Sequence, residues 1–213
     1  MPKTIHSIPI YIQSLSLCCI AIWWVLFLSW QSGMIAFVES LSYRFERPSI
    51  SSDSMAPATT RALEYITKGT LVVAPDIFFT KDEVSHLRDV SVVYKGMRVV
   101  TGIGALCAWI ILLGTLIQKK HFSRRIFFQA RDVMICIAVL TLLALILFPI
   151  FFVSFHHLFF PQGNWEFPET SMLIQLFPET FWKFMVGWLF SGVLLFATLF
   201  HVIAQMTFNN ENE

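Results

Sequence analysis

The chain alternates between long apolar runs and polar stretches. A bilayer core about 30 Å thick takes about 20 residues of helix to cross. Four runs are long enough: residues 8–30 (IPIYIQSLSLCCIAIWWVLFLSW), 99–118 (VVTGIGALCAWIILLGTLIQ), 133–155 (VMICIAVLTLLALILFPIFFVSF) and 181–206 (FWKFMVGWLFSGVLLFATLFHVIAQM). No small-x-small cleavage motif follows the first run, which therefore reads as a retained helix rather than a signal peptide. Pro149 falls inside the third run. A proline removes one amide donor and is expected to kink the helix there. Trp23, Trp24, Trp30, Trp165, Trp182 and Trp188 gather near the ends of runs, as an interfacial aromatic belt does.

The polar stretches set the expected orientation. Between the second and third runs lies KKHFSRRIFFQAR, with Lys119, Lys120, Arg124, Arg125 and Arg131 and no acid before Asp132. Excess Lys and Arg marks the cytoplasmic side. Both termini are then expected in the cytoplasm, with segments 31–98 and 156–180 outside. In the long outer segment, Ser40–Pro57 reads as irregular chain, and TTRALEYITKGT (59–70) as a short helix stopped by Gly69. A second helix is expected from Thr80. Thr80 and Glu83 form a capping box, and Val84, Leu87, Val90 or Ser91, and Tyr94 recur at helical spacing. Such an amphipathic helix is expected to lie on or in the interface. In the short outer segment, Phe, Trp, Leu and Ile alternate with turn residues, so it is expected to dip into the headgroup layer. The pattern predicts an all-α integral membrane protein: four transmembrane helices, extracytoplasmic amphipathic helices and a short re-entrant-like loop, within a single membrane domain over 1–213.

Composition agrees. Hydrophobic residues make up 56% of the chain and charged residues 14%, against about a quarter charged in soluble domains. A net charge of +1 gives no case for a nucleic-acid partner. Cys18, Cys19, Cys107 and Cys136 all lie in apolar runs without a CxxC spacing, and read as small buried residues.

Candidate chemistry begins at VSFHHLFFPQGNWEF (153–167), where the third run ends in His156 and His157. A histidine in apolar surroundings is unfavourable unless its ring nitrogens find partners. The pair reads either as interfacial histidines bonded to backbone or headgroups, or as a general base that titrates near neutral pH. His86 read alone is a solvated helix residue, and its case improves if the two outer segments meet. A zinc site from His86, His156 and Glu83 or Asp89 is a further reading, without an HExxH motif behind it. No GxSxG motif supports a serine hydrolase. His201 and His121 read as packing or solvated residues, and His6, near the terminus, is uninformative. Arg44, Arg47 and Arg61 are candidate contacts for lipid phosphate.

The outer motifs resemble those of the bacterial four-span lipoprotein intramolecular transacylase family. EVSHLRDV (Glu83–Val90) matches the family's histidine in a short helix after the first outer loop. FHHLFF (Phe155–Phe160) matches its F-H-x-x-F/L-F at the exit of the third span, and Trp165 and PETF (Pro178–Phe181) follow in order. The chain departs from the pattern at Ala58–Arg61, where family members often carry an asparagine. The resemblance implies a membrane acyltransferase. It would move the sn-2 acyl chain of a diacylglyceryl lipoprotein to the α-amine of its N-terminal cysteine, without a cofactor. It implies His86 and His156 as the catalytic pair, with His157 in a variable position of the motif. Beside that pair, His157, Tyr43, Tyr65 and Arg61 are read as possible assistants. It places the protein in the bacterial cytoplasmic membrane, its site at the outer leaflet, with lipoprotein and membrane lipid as partners. Two alternatives stand beside it: a non-catalytic assembly or lipid-sensing protein, and a metal-dependent membrane hydrolase.

Overall fold

A computed structural model describes residues 9–43, 52–69, 78–117 and 123–209. His6, Arg44, Arg47 and His121 lie outside the described residues. The described helices run in the order α1 (Ile10–Ser29), α2 (Ser32–Ser42), α3 (Ser52–Lys68), α4 (Lys81–Ile117), α5 (Arg124–Ile146), α6 (Phe148–Phe159), α7 (Met172–Leu176) and α8 (Glu179–Asn209). Four of them, α1, α4, α5 and α8, are long and apolar enough to cross a membrane.

The chain divides into two compact units. One is drawn from Met1–Ser29, Val100–Leu142 and Trp188–Glu213. Its core packs Cys18 and Ala21 of α1, Ala130, Met134 and Ala138 of α5, and Val193, Ala197 and Phe200 of α8. Small side chains at these contacts let helix backbones approach closely, which drives helix association where lipid is as apolar as leucine. Gly192 marks the tightest approach, since a Cβ there would sit 2.9 Å from Val25 Cγ1. Three serines of α1 donate to carbonyls of their own helix, Ser14, Ser16 and Ser29 to Ile10, Ile12 and Val25, and Ser14 also lies 3.1 Å from Gln129 Oε1 of α5. The opposite helix faces present Ile103, Leu106, Ile110, Leu140 and Leu195 outward.

The other unit is drawn from Trp30–Val99 and Leu143–Gly187. Its core gathers Ile35 and Val38 of α2, Met55, Ala58, Ala62, Tyr65 and Ile66 of α3, Leu87 and Tyr94 of α4, and Leu173, Leu176 and Phe181 of the C-terminal segment. Burying each large apolar side chain contributes about 1.5–3 kcal/mol. α3 ends where expected. Gly69 takes φ +72°, and its amide donates to the Tyr65 carbonyl at 2.8 Å, a left-handed helix stop.

Four expectations are corrected. Residues 40–57 are not irregular throughout, because α2 ends at Ser42 and α3 begins at Ser52. The signal for α2 was Ile35, Val38 and Ser42 at helical spacing, all buried. The amphipathic helix after Thr80 and the second span are one continuous helix, α4. An unbroken helix that crosses a bilayer cannot also lie along its surface, and Gly96 alone does not interrupt it. The third run is two helices: α5 ends at Ile146 and α6 starts at Phe148, with Pro149 in its first turn where no amide donor is needed. Of the four cysteines only Cys18 is buried, while Cys19, Cys107 and Cys136 are exposed. Membership of an apolar run sets depth, not which helix face turns inward.

Candidate active site

The two histidine-bearing segments belong to one unit. α4 starts on the expected capping box: Thr80 N donates to Glu83 Oε2 at 2.7 Å, and Glu83 N donates to Thr80 Oγ1 at 3.3 Å. Glu83 is only 1% exposed. Its second oxygen accepts the buried amide of Leu173 at 2.9 Å, so one carboxylate ties the start of α4 to the start of α7. Three residues on, His86 is buried as well.

α6 delivers the second histidine. The His86 and His156 rings lie 6.0 Å apart between centroids and 21° from parallel. Phe160 meets His86 edge-on at 4.8 Å, and Phe167 does so at 5.7 Å. Phe152 packs on His156 at 4.1 Å and Trp165 at 4.8 Å. His156 Nδ1 is 2.8 Å from the Phe152 carbonyl oxygen. That oxygen can only accept, so Nδ1 carries the hydrogen, and Nε2 of the neutral ring keeps its lone pair. His157 is exposed and touches Trp165 edge-on at 5.4 Å.

The loop after α6 is anchored to α4. Phe160 N donates to the His156 carbonyl at 2.7 Å and Gly163 N to the Phe160 carbonyl at 3.1 Å, closing a turn in which Gly163 takes φ +78°. Asp89 Oδ2 then accepts Gln162 Nε2 at 2.8 Å and Asn164 Nδ2 at 2.6 Å. Asn164 and Trp165 are thereby held against the helix that carries His86.

Burial sets the charge state of the pair. His86 stands in the polar N-terminal half of α4, ahead of the apolar span. Burial pushes its pKa down to about 4, and the neighbouring His156 charge pushes the same way, against opposing pulls from Asp89 and Asn164. Burial also lowers His156, with the Phe152 carbonyl opposing and His157 adding to the effect. Both rings are therefore neutral near pH 7. Two buried nitrogens here make no hydrogen bond: His86 Nδ1 and Trp165 Nε1. Among the described residues no three His, Cys, Asp or Glu side chains group to hold a metal ion. Both oxygens of Glu83, and Oδ2 of Asp89, the carboxylates weighed for zinc, accept hydrogen bonds from amide groups.

A pair of neutral imidazoles in an aromatic box is suited to acyl and proton transfer. The family model for lipoprotein intramolecular transacylase Lit matches residues 7–182 of the chain. The chain belongs to this family. It is an integral membrane enzyme, an acyltransferase whose substrate class is lipoprotein. Two solved structures of Lit from Bacillus cereus share the fold. One has a TM-score of 0.60 at 16% identity, covering 95% of this chain and 92% of that one. The other, which carries a histidine-to-arginine mutation, has a TM-score of 0.61 at 16% identity, covering 95% and 90%. No curated protein matches the chain.

The structure describes Tyr43, Tyr65 and Arg61, the possible assistants besides His157. Tyr43 donates to Glu39 Oε1 at 2.6 Å, which also accepts Thr59 Oγ1 at 2.5 Å. Burial and that carboxylate raise the Tyr43 phenol above its ordinary range. Tyr65 is buried and lines an open pocket of about 270 Å³ with Arg88, Ser91 and Lys95. The Arg61 guanidinium lies 4.9 Å above the Phe78 ring. The sequence reading missed Phe152, Gln162 and Asn164 and weighed Asp89 only as a metal ligand. Asp89 had a usable signal, because three residues after His86 it shares that helix face. Gln162 and Asn164 had a weaker one, as polar positions in an aromatic stretch.

Proposed function

We propose that this enzyme moves the sn-2 acyl chain of a diacylglyceryl lipoprotein to the α-amine of the N-terminal cysteine, yielding an N-acyl, lyso-form lipoprotein. The observation that carries the reading is the His86–His156 pair, two neutral rings 6.0 Å apart in a box of aromatic side chains. The neutral amine attacks the ester carbonyl carbon, forming the C–N bond. His156 acts as base through Nε2, the nitrogen left free by the Nδ1–carbonyl bond, and takes the proton released from nitrogen. His86, neutral at working pH, donates a hydrogen bond to the oxyanion. The C–O bond to glycerol then breaks, and the His156 proton passes to the departing oxygen. Amine and ester belong to one substrate molecule, so proximity comes without a second binding step.

The basic connection between α4 and α5 supports a cytoplasmic placement for both termini and an outer-leaflet placement for the histidines, where the ester of a lipoprotein lies. A fluorescent protein fused to the C-terminus should glow, as it does when it folds in the cytoplasm. A dark, translocated fusion would reverse the topology.

The test of function is to express the chain in a bacterium that makes only diacylglyceryl lipoproteins with free amines. Mass spectra of the lipoprotein's N-terminal peptide should show unchanged total mass, with one acyl chain moved from glycerol to nitrogen. His156→Ala at equal expression should abolish the move. A well-expressed wild type that moves no chain contradicts the proposal.

A further inference from the structure

We propose that Trp165 is a third working member of this site: its indole N–H donates a hydrogen bond to the carbonyl oxygen of the ester under attack, beside His86. The inference rests on the transacylase reading above and deepens it. Indole Nε1 can only donate. In Trp165 it is buried and meets no acceptor, a condition native structures avoid unless the group serves something else. The ring packs 4.8 Å from His156, the proposed base, and 5.4 Å from His157. Of the unmet buried nitrogens among the described residues, which also include Arg61 Nη1 and Trp188 Nε1, His86 Nδ1 belongs to the ring stacked on His156. Two unmet groups therefore belong to rings that pack on the one that would receive the proton. A phenylalanine at 165 would complete the same aromatic wall without leaving a donor unmet.

An oxyanion donor is effective only if it is held in place before charge develops. Trp165 is held. The turn Phe160–Gly163 redirects the chain after α6, and Asn164, immediately before Trp165, is bonded to Asp89 at 2.6 Å, with Gln162 on the same oxygen at 2.8 Å. Asp89 is one helical turn from His86. The carboxylate thus sets the indole and His86 relative to each other, which makes Asp89 a positioning residue. The indole proton stays on nitrogen throughout, and the balance of the acyl transfer is unchanged.

The test compares kcat and KM of the full-length wild type, Trp165→Phe, Asp89→Ala and the double variant, on a synthetic diacylglyceryl lipopeptide with a free amine. Trp165→Phe should lose about 100-fold in kcat with KM nearly unchanged, the size seen when one oxyanion donor is removed. Asp89→Ala should lose kcat in the same way, and the double variant should be no slower than the worse single one. Melting curves should show Trp165→Phe as stable as wild type, because the ring still fills the wall. A Trp165→Phe enzyme with wild-type kcat overturns the inference. If that variant proves unstable, wild-type kcat in Asp89→Ala overturns it equally. A wild type that transfers no acyl chain contradicts the proposed function itself and takes this inference with it, whereas an active wild type with indifferent variants contradicts only the inference.

Discussion

Replacing Glu83 with alanine removes a buried carboxylate that joins α4 to α7. Two amides depend on it, Thr80 N at 2.7 Å and Leu173 N at 2.9 Å, and the residue is 1% exposed. Loss of a cap contact costs about 0.5–2 kcal/mol. The buried Leu173 amide would be left unmet at a further cost of about 1–3 kcal/mol. The desolvated carboxylate itself disappears, which returns part of this, so the net loss is about 2–4 kcal/mol. For a chain of this size that corresponds to a fall in Tm of roughly 5–15 °C, on the scaling known for soluble domains. Glu83→Gln should fall between the two, since its single carbonyl oxygen meets one amide and its NH₂ group opposes the other. Thermal melting of the purified protein in one detergent reads all three. An unchanged Tm in Glu83→Ala would refute the claim that this carboxylate joins the two helices.

Other outcomes follow from the same structure. Gly192→Ala places a methyl 2.9 Å from Val25 Cγ1, and should cost about 1–3 kcal/mol by overpacking. Adding Val25→Ala should recover most of that loss, and a melting temperature unmoved by the first change would show that the helices are not in close contact there. His86 also gives stability a pH dependence. Its folded pKa of about 4 lies below the unfolded value of 6.5, so the unfolded chain binds more protons between those limits. Stability should be flat above pH 6.5 and fall by up to about 3 kcal/mol as pH drops through that window. Melting curves of His86→Gln between pH 7 and pH 4.5 should slope less steeply than wild type, and equal slopes would contradict the neutral, buried ring.

The spans were legible because their signal is length and apolarity, which α1, α4, α5 and α8 carry in unbroken runs. An interruption near Pro149 was legible because proline lacks a donor, but its position at Leu147, ahead of the proline, was not. What escaped was relational. Nothing local distinguishes an amphipathic helix lying beside a span from one that continues into it, as α4 does through Gly96. Adjacent residues on a helix point about 100° apart. That is why His156 packs among Phe152, Phe160 and Trp165 while its neighbour His157 faces outward. Helical register alone did not say which of them turned inward, and the family motif supplied that expectation. The bond between Asp89 and Asn164 spans 75 positions, a separation over which periodicity carries no information.

The central claim is that His86 and His156 work as one acyl-transfer unit. The measurement that reaches it most directly is the rate of N-acyl product formation by His86→Ala, His156→Ala and the double variant, on a defined diacylglyceryl lipopeptide at equal enzyme concentration. Each single change should cost about 10²–10⁴-fold in kcat, and the double variant should be no slower than the worse single one. Wild-type rates in either single variant, or losses that multiply in the double, would contradict the account.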